Sequence, residues 1–241
     1  MSLEILRIQK NASITINYLS EILDSDKDIS IVVIREPIER FWSACKTMHE
    51  KATWHRRPFY SDGVVYTPKF EENYSVQEVV EDCLEFLNEN PDQHFKPQMN
   101  IIGNKKFDYV FTVDELDAKI KQLIDSNVLY IKEISPEENT RLEILFALQL
   151  NVLGTNLIRM NDEVPLDGEM DFMKLRMFAK DWKNHIINGL RMTVSPKERN
   201  NEALEFIRSS SCYEKISTYY HRDLLMWNDS SCLFKNCNQG V

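Results

Sequence analysis

Residues 29–34, Ile-Ser-Ile-Val-Val-Ile, form an almost unbroken run of β-branched side chains with no alternation of apolar and polar positions. A strand with one wet face alternates. A continuous run is instead the pattern of a strand covered on both faces, as in the parallel sheets of α/β proteins. The flanking sequence fits such a sheet. Residues 3–8, Leu-Glu-Ile-Leu-Arg-Ile, are a shorter β-like run, and Gln9 to Ser13 is a polar loop. From Thr15 onward, Ile16, Leu19, Ile22 and Leu23 recur at helical spacing until Asp24-Ser25-Asp26. After the buried run, Arg35-Glu36-Pro37 stops the strand and a helix is predicted from about Ile38 to Glu50.

Further along, residues 53–74 combine aromatics, turn formers and a basic knot at His55-Arg56-Arg57, and read as a long surface excursion. Ser75-Val76-Gln77-Glu78 is a capping box, opening a helix to about Leu87 with Val76, Val79, Val80, Cys83, Leu84 and Leu87 on its apolar side. Phe107 to Val113 is a strand candidate, Asp114 to Ile124 a helix, and Val128 to Ile131 a last strand. The remainder reads as helical: Pro136 to Leu150, Met170 to Leu190, a helix opened by Ser195-Pro196-Lys197-Glu198, and Cys212 to Trp227. Strands alternating with helices predict an α/β parallel sheet flanked by helices, with an α-rich C-terminal portion. No repeat, low-complexity segment or linker marks a boundary within residues 1–241, so a single domain is expected.

Composition narrows the class. Hydrophobic residues at 43% and charged residues at 28% describe an ordinary soluble globular chain. No stretch approaches the ~18 consecutive apolar residues of a membrane span, and the N-terminus lacks a signal-peptide layout, so no membrane partner is expected. The net charge of −9 argues against non-specific nucleic-acid binding. The six glycines (Gly63, Gly103, Gly154, Gly168, Gly189 and Gly240) are dispersed, which excludes G-x-G-x-x-G, Walker and nucleophile-elbow loops. Five cysteines, Cys45, Cys83, Cys212, Cys232 and Cys237, without C-x-x-C spacing fit reduced thiols better than a metal site, and a late Cys232 to Cys237 disulfide is an alternative.

Two polar loops follow strands, where α/β sheets bind ligands. Gln9-Lys10-Asn11-Ala12-Ser13-Ile14-Thr15 brings a lysine, small residues and hydroxyls to a helix start, suited either to a phosphate-like anion or to plain helix capping. In the second loop, Arg35 offers a phosphate fork and Ser43 a hydroxyl eight residues later. Alternatively, Arg35 pairs with Glu36 or Glu39 and Ser43 is a packing residue.

Together these stretches resemble a known family. Ile31-Val32-Val33-Ile34-Arg35-Glu36-Pro37-Ile38-Glu39-Arg40-Phe41-Trp42-Ser43-Ala44-Cys45-Lys46 resembles the 3′-phosphate-binding segment of sulfotransferases that use 3′-phosphoadenosine 5′-phosphosulfate (PAPS). Residues 7–15 are similar to that family's 5′-phosphosulfate loop. Asp92-Gln93-His94-Phe95-Lys96-Pro97-Gln98, then Phe107 to Phe111 and Asp114-Glu115-Leu116, look like the His-x-x-Pro-Gln, Tyr-Asp-(Tyr/Phe)-Val-Gly and Glu-x-Leu stretches of the carbohydrate, Golgi-type sulfotransferases. Tyr219 to Leu225 is similar to the family's closing Tyr-x-x-Asp helix. The matches run in family order over roughly residues 5–125. Three departures stand out: Asn11-Ala12 where the family usually has Gly, a short separation between the two loops, and Glu36 for the commoner Asp.

The resemblance implies a P-loop-like, single sulfotransferase domain, with PAPS as co-substrate, no metal, and a carbohydrate or small hydroxylated acceptor. It assigns Lys10 to the leaving 5′-phosphate side, with Asn11, Ala12, Ser13, Ile14 and Thr15 forming the rest of that loop, and Arg35 and Ser43 to the 3′-phosphate. His94 is the expected general base, with His49, His55, His185 and His221 as alternatives. Lys51, His55, Arg56 and Arg57 beside Trp54, Phe59 and Tyr60 form a candidate sugar-binding knot, and the acidic balance favours a neutral or lightly charged acceptor over a glycosaminoglycan. Asn11-Ala12-Ser13 is also a glycosylation sequon, and a glycan there would block the loop, so a cytoplasmic setting is expected. Two other readings remain open at this level: a non-catalytic module binding a 3′-phosphoadenosine nucleotide, and a P-loop small-molecule kinase.

Overall fold

The computed structural model describes residues 2–55, 59–61, 64–66, 75–88, 91–138, 141–142 and 197–235; for 13–14, 49–55, 59–61, 64–66 and 197–200 the description is of the backbone. In chain order the elements are β1 (Leu3–Leu6), α1 (Ser13–Ile22), β2 (Leu23–Asp24), β3 (Ile29–Ile34), α2 (Pro37–His55), β4 (Phe59–Ser61), β5 (Val64–Tyr66), α3 (Val76–Cys83), α4 (Gln98–Ile102), β6 (Tyr109–Thr112), α5 (Leu116–Asp125), β7 (Tyr130–Ile131), α6 (Lys197–Ser209), α7 (Cys212–Tyr219) and α8 (His221–Asn228). The chain is of the α/β class. It divides into two compact units, each assembled from distant segments: Met1–Arg7, Ala12–Val33 and Phe107–Pro196 in the first, and Ile8–Asn11, Ile34–Lys106 and Lys197–Val241 in the second.

The first unit is a small sheet under helices. Its three strands lie in the order β1-β3-β6, and β1 runs parallel to β3 with Ile5 opposite Ile31. All six residues of β3 are buried, as the unbroken apolar run predicts. Ile29, Ile31 and Val33 share a core with Ile16, Leu19 and Ile22 of α1 and Leu116, Ile120 and Leu123 of α5. Each such side chain contributes about 1.5–3 kcal/mol on burial. Ser30, the polar member of β3, is accommodated because its N–H and hydroxyl both donate to Asp108 Oδ2, at 2.8 and 2.9 Å. The Asp108 N–H returns a 2.9 Å bond to the Ser30 carbonyl. Beside this sheet, Leu23 and Asp24 pair antiparallel with Ile131 and Tyr130.

The second unit is mainly helical. Phe41, Cys45 and Met48 recur on one stripe of α2 and pack with Val80 and Cys83 of α3, Ala203 and Ile207 of α6, and Ile216 and Tyr220. Phe95 sits among them, stacked on Phe86 at 5.2 Å and tilted against Phe41 at 5.8 Å. The capping box opens α3 as expected: the Glu78 N–H donates to Ser75 Oγ at 3.3 Å and the Ser75 N–H donates to Glu78 Oε2 at 3.0 Å.

Several boundaries differ from the sequence expectation. The helix read as running to Leu87 ends at Cys83 and tightens into a 3₁₀ turn over Leu84–Phe86. The helix read from Ile38 to Glu50 spans Pro37–His55, so the start of the predicted surface excursion is helical, and a two-stranded hairpin, β4 with β5, occupies part of the rest. The single helix read over Cys212 to Trp227 is broken at Tyr220, whose backbone leaves the helical region (φ −94°, ψ 20°) while its hydroxyl donates to the Phe95 carbonyl at 2.6 Å. Residues 136–138 and 141–142 are helical. The remainder of that predicted helix, the one at Met170 to Leu190 and the Ser195-Pro196 cap lie outside the described residues.

Among the described residues, Cys45, Cys83 and Cys212 are buried free thiols and Cys232 is exposed and free; Cys237 lies outside them. Burial and the neighbouring Cys83 push the Cys45 thiol well above its usual range. No helix among the described residues is long and apolar enough to cross a membrane. No cluster of three or more metal-ligating side chains occurs among them.

Candidate functional site

The second unit gathers three stretches that are far apart in sequence: residues 8–11, the turn and helix after β3, and residues 92–99. The organising element is α2. Glu36 caps it: its carbonyl accepts from the Arg40 N–H at 2.9 Å and its Oε2 from the Glu39 N–H at 2.7 Å, with Pro37 pre-set for the first helical turn. Burial raises the Glu36 carboxyl above its usual range. The acidic residue between Arg35 and Pro37 therefore has a structural task, and Arg208 approaches the same oxygen at 3.6 Å.

Loop residues 9–11 are strapped along this helix. Arg40 Nε donates to the Gln9 carbonyl at 3.0 Å, Arg35 Nη1 donates to the Lys10 carbonyl at 3.2 Å, and Lys10 Nζ donates to Thr47 Oγ1. Thr47 lies one turn beyond Ser43, and its hydroxyl donates to the Ser43 carbonyl at 3.1 Å. Lys10 is thus drawn to the helix that carries Ser43, both half-buried. Arg35 also lies 3.5 Å from Glu39 Oε2, its side chain retaining 22% exposure. The ion pair expected as the alternative role of Arg35 is present, on a guanidinium that a ligand can still reach.

Gln98 joins these pieces. Fully buried, its Oε1 accepts from Asn11 Nδ2 and, at 3.0 Å, from the Arg35 N–H, while its Nε2 donates to the Arg35 carbonyl at 2.8 Å. Its own N–H donates to Asp223 Oδ2 at 2.7 Å, and the Met99 N–H to Asp223 Oδ1 at 2.8 Å. Asn11 and Asp223 have no exposed surface. Burial raises the Asp223 carboxyl, opposed by those two N–H bonds and by the Arg40 charge. The same burial lowers Arg40 and pushes Tyr219 up to about 12. The Nη atoms of Arg40 are buried without a hydrogen-bond partner, so this polar cluster carries a real desolvation cost.

His94 occupies the same unit, with its ring against a buried carboxylate. Asp92, 1% exposed, lies 2.5 Å from His94 Nδ1, and the same oxygen accepts the His94 N–H at 2.7 Å. When Nδ1 carries its proton toward this carboxylate, Nε2 is the acceptor nitrogen of the ring, which is the tautomer a general base needs. His94 keeps 15% of its side chain exposed. Of the alternatives, His221 is exposed on α8, the side chains of His49 and His55 fall outside the description, and His185 lies outside the described residues.

Ala12, Ser13, Ile14 and Thr15 belong to the first unit, where they open α1. Ala12 is its N-cap, held in the left-handed region (φ 56°, ψ 35°) with no side-chain cap. This is the conformation for which glycine is ordinarily chosen, so Ala12 fills the glycine position at a steric cost. Lys10 is also left-handed, at φ 68°. Ser13 is already the first helical residue, and the cap position before it, Ala12, supplies no side-chain hydrogen bond to the first turn. The basic and aromatic knot from Lys51 to Tyr60 is described by backbone alone or lies outside the described residues.

Sequence reasoning gave no role to Gln98, Asp92, Thr47 or Asp223. Three of them carried a signal: Gln98 closes the His-x-x-Pro-Gln stretch, Asp92 stands two residues before His94, and Asp223 falls in the Tyr-x-x-Asp stretch. The partners that make Gln98 central are 63 and 125 residues away. Comparison of the chain with protein-family models, with curated proteins and with solved structures returned no match.

Proposed function

We propose that the chain is a PAPS-dependent sulfotransferase with a P-loop-like fold, moving a sulfuryl group to a hydroxyl of a carbohydrate or small-molecule acceptor. The observation that carries this reading is the convergence, within one compact unit, of Lys10 and Arg35 along α2, the helix that also carries Ser43. These are the residues that the resemblance to sulfotransferases assigns to the donor. A lysine held by a threonine and an arginine held by a backbone carbonyl supply fixed positive charge to a doubly phosphorylated nucleotide, and the 3.5 Å contact of Arg35 with Glu39 is one that a phosphate replaces.

PAPS supplies an activated sulfuryl group; its transfer, like phosphoryl transfer, asks the protein mainly for positioning and charge neutralisation. Arg35 and Ser43 bind the 3′-phosphate. Lys10 neutralises the 5′-phosphate as its bond to sulfur breaks. His94 accepts the acceptor hydroxyl proton at Nε2 as the new oxygen–sulfur bond forms, and Asp92 holds the ring in that tautomer.

Incubation with radiolabelled PAPS, or with ATP, and a panel of neutral and lightly charged sugars tests the reading. Label transferred from PAPS to an acceptor is the expected result. Tight binding of 3′-phosphoadenosine 5′-phosphate without transfer would leave a nucleotide-binding module, and ATP consumption would make the chain a kinase.

A further inference from the structure

Between the donor loop and the C-terminal helices lies a side chain whose hydrogen-bonding capacity is spent on positions assigned to the donor. We infer that Gln98 is a positioning residue: its amide clamps Asn11 and both backbone groups of Arg35 into one rigid arrangement, and Asp223 of α8 anchors it. The inference rests on the donor reading above and adds to it a means by which the C-terminal helix sets the geometry of the phosphate-binding arginine.

Three features argue for it. First, the contact is two-sided at Arg35. Gln98 Oε1 accepts its N–H at 3.0 Å and Gln98 Nε2 donates to its carbonyl at 2.8 Å, so the amide replaces a neighbouring strand at the residue directly after β3. Such pairing fixes φ and ψ on both sides of the Arg35 Cα and hence the direction in which its side chain leaves. Second, the same oxygen takes Asn11 Nδ2, tying the residue next to Lys10 to the same point. Third, the clamp itself cannot drift. Asp223, with no exposed surface, receives the Gln98 and Met99 N–H groups at 2.7 and 2.8 Å, and Gln98 is itself fully buried. A buried amide with these partners is costly to leave half-satisfied, so the Gln98 side chain is held in this orientation.

A glutamine is specifically suited to this. One oxygen with two lone pairs and one NH₂ match the Asn11 donor, the Arg35 donor and the Arg35 acceptor. Glutamate keeps the oxygen and loses the donor; methionine keeps the length and loses all three bonds.

The test is a double-mutant cycle read by titration calorimetry with 3′-phosphoadenosine 5′-phosphate. Gln98→Met is expected to weaken binding at least tenfold, with Gln98→Glu between it and the wild type, while thermal melts and circular dichroism report a folded chain. In an Arg35→Ala background the same Gln98→Met change is expected to cost less than about threefold, because the group it positions is gone. A merely structural role predicts equal losses in both backgrounds, and that additivity would overturn the inference. So would a folded Gln98→Met protein with wild-type affinity. If Gln98→Met does not fold, Asn11→Ala, which removes a single bond to the clamp, takes its place in the cycle with the same criteria. Wild-type protein that does not bind the nucleotide instead removes the donor reading itself, so the two failures are distinct.

Discussion

The two compact units solve the problem of a stable interior in opposite ways. In the first, β3 presents Ile29, Ile31 and Val33 to aliphatic side chains of α1 and α5, and its one polar residue, Ser30, is satisfied by the Asp108 carboxylate beside the sheet. In the second, an aromatic and aliphatic core around Phe95 coexists with fully buried Arg40, Asp223, Gln98 and Asn11. Apolar packing is forgiving of small changes, whereas a buried polar cluster is intolerant of losing any one member. The difference marks where the chain invests in geometry: among the described residues, buried charged and amide side chains occur only in the unit that carries Lys10, Arg35 and His94.

That contrast can be broken at graded points. Arg40→Met should have the largest effect, because it removes the Nε donor to the Gln9 carbonyl and strips Asp223 of the nearby positive charge; a loss of about 3–5 kcal/mol in urea unfolding is expected. A loss below about 1 kcal/mol would mean that the polar cluster is dispensable. Asp108→Ala, its counterpart in the first unit, removes the acceptor for two Ser30 donors and should cost about 1–3 kcal/mol, while nucleotide affinity is unchanged. Ile31→Val deletes one methylene from an apolar core and should cost about 0.5–1.5 kcal/mol, again without altering affinity. If Ile31→Val weakened nucleotide binding tenfold, the assignment of binding to the polar unit would be too narrow. The smallest effect belongs to Ser75→Ala, about 0.5–1 kcal/mol, because only an exposed helix cap is lost.

The sequence made some of this contrast legible in advance. The unbroken run at 29–34 announced a buried strand, the capping box announced α3, and the polar loops around Lys10 and Arg35 stood out because charged residues followed β-like runs. These are local signals, set by neighbours within a turn or a strand. The Asn11 to Gln98 and Gln98 to Asp223 bonds span 87 and 125 residues, and no periodicity records them. The break at Tyr220 escaped notice for the same reason: residues 212–227 have helical spacing throughout, and the interruption coincides with a hydroxyl bonded to a carbonyl 125 residues earlier. Likewise, Ala12 gave no hint in composition that it adopts a left-handed backbone, a conformation that glycine usually announces.

The central claim is that the second unit holds the 3′-phosphate of a sulfuryl donor through Arg35. Titration calorimetry with 3′-phosphoadenosine 5′-phosphate tests it directly on the wild type and on Arg35→Ala. A charge-assisted bond to phosphate is worth about 1.5–3 kcal/mol, so the variant should bind at least about tenfold more weakly than the wild type. Equal affinities in the two proteins, or no binding by the wild type, would contradict it.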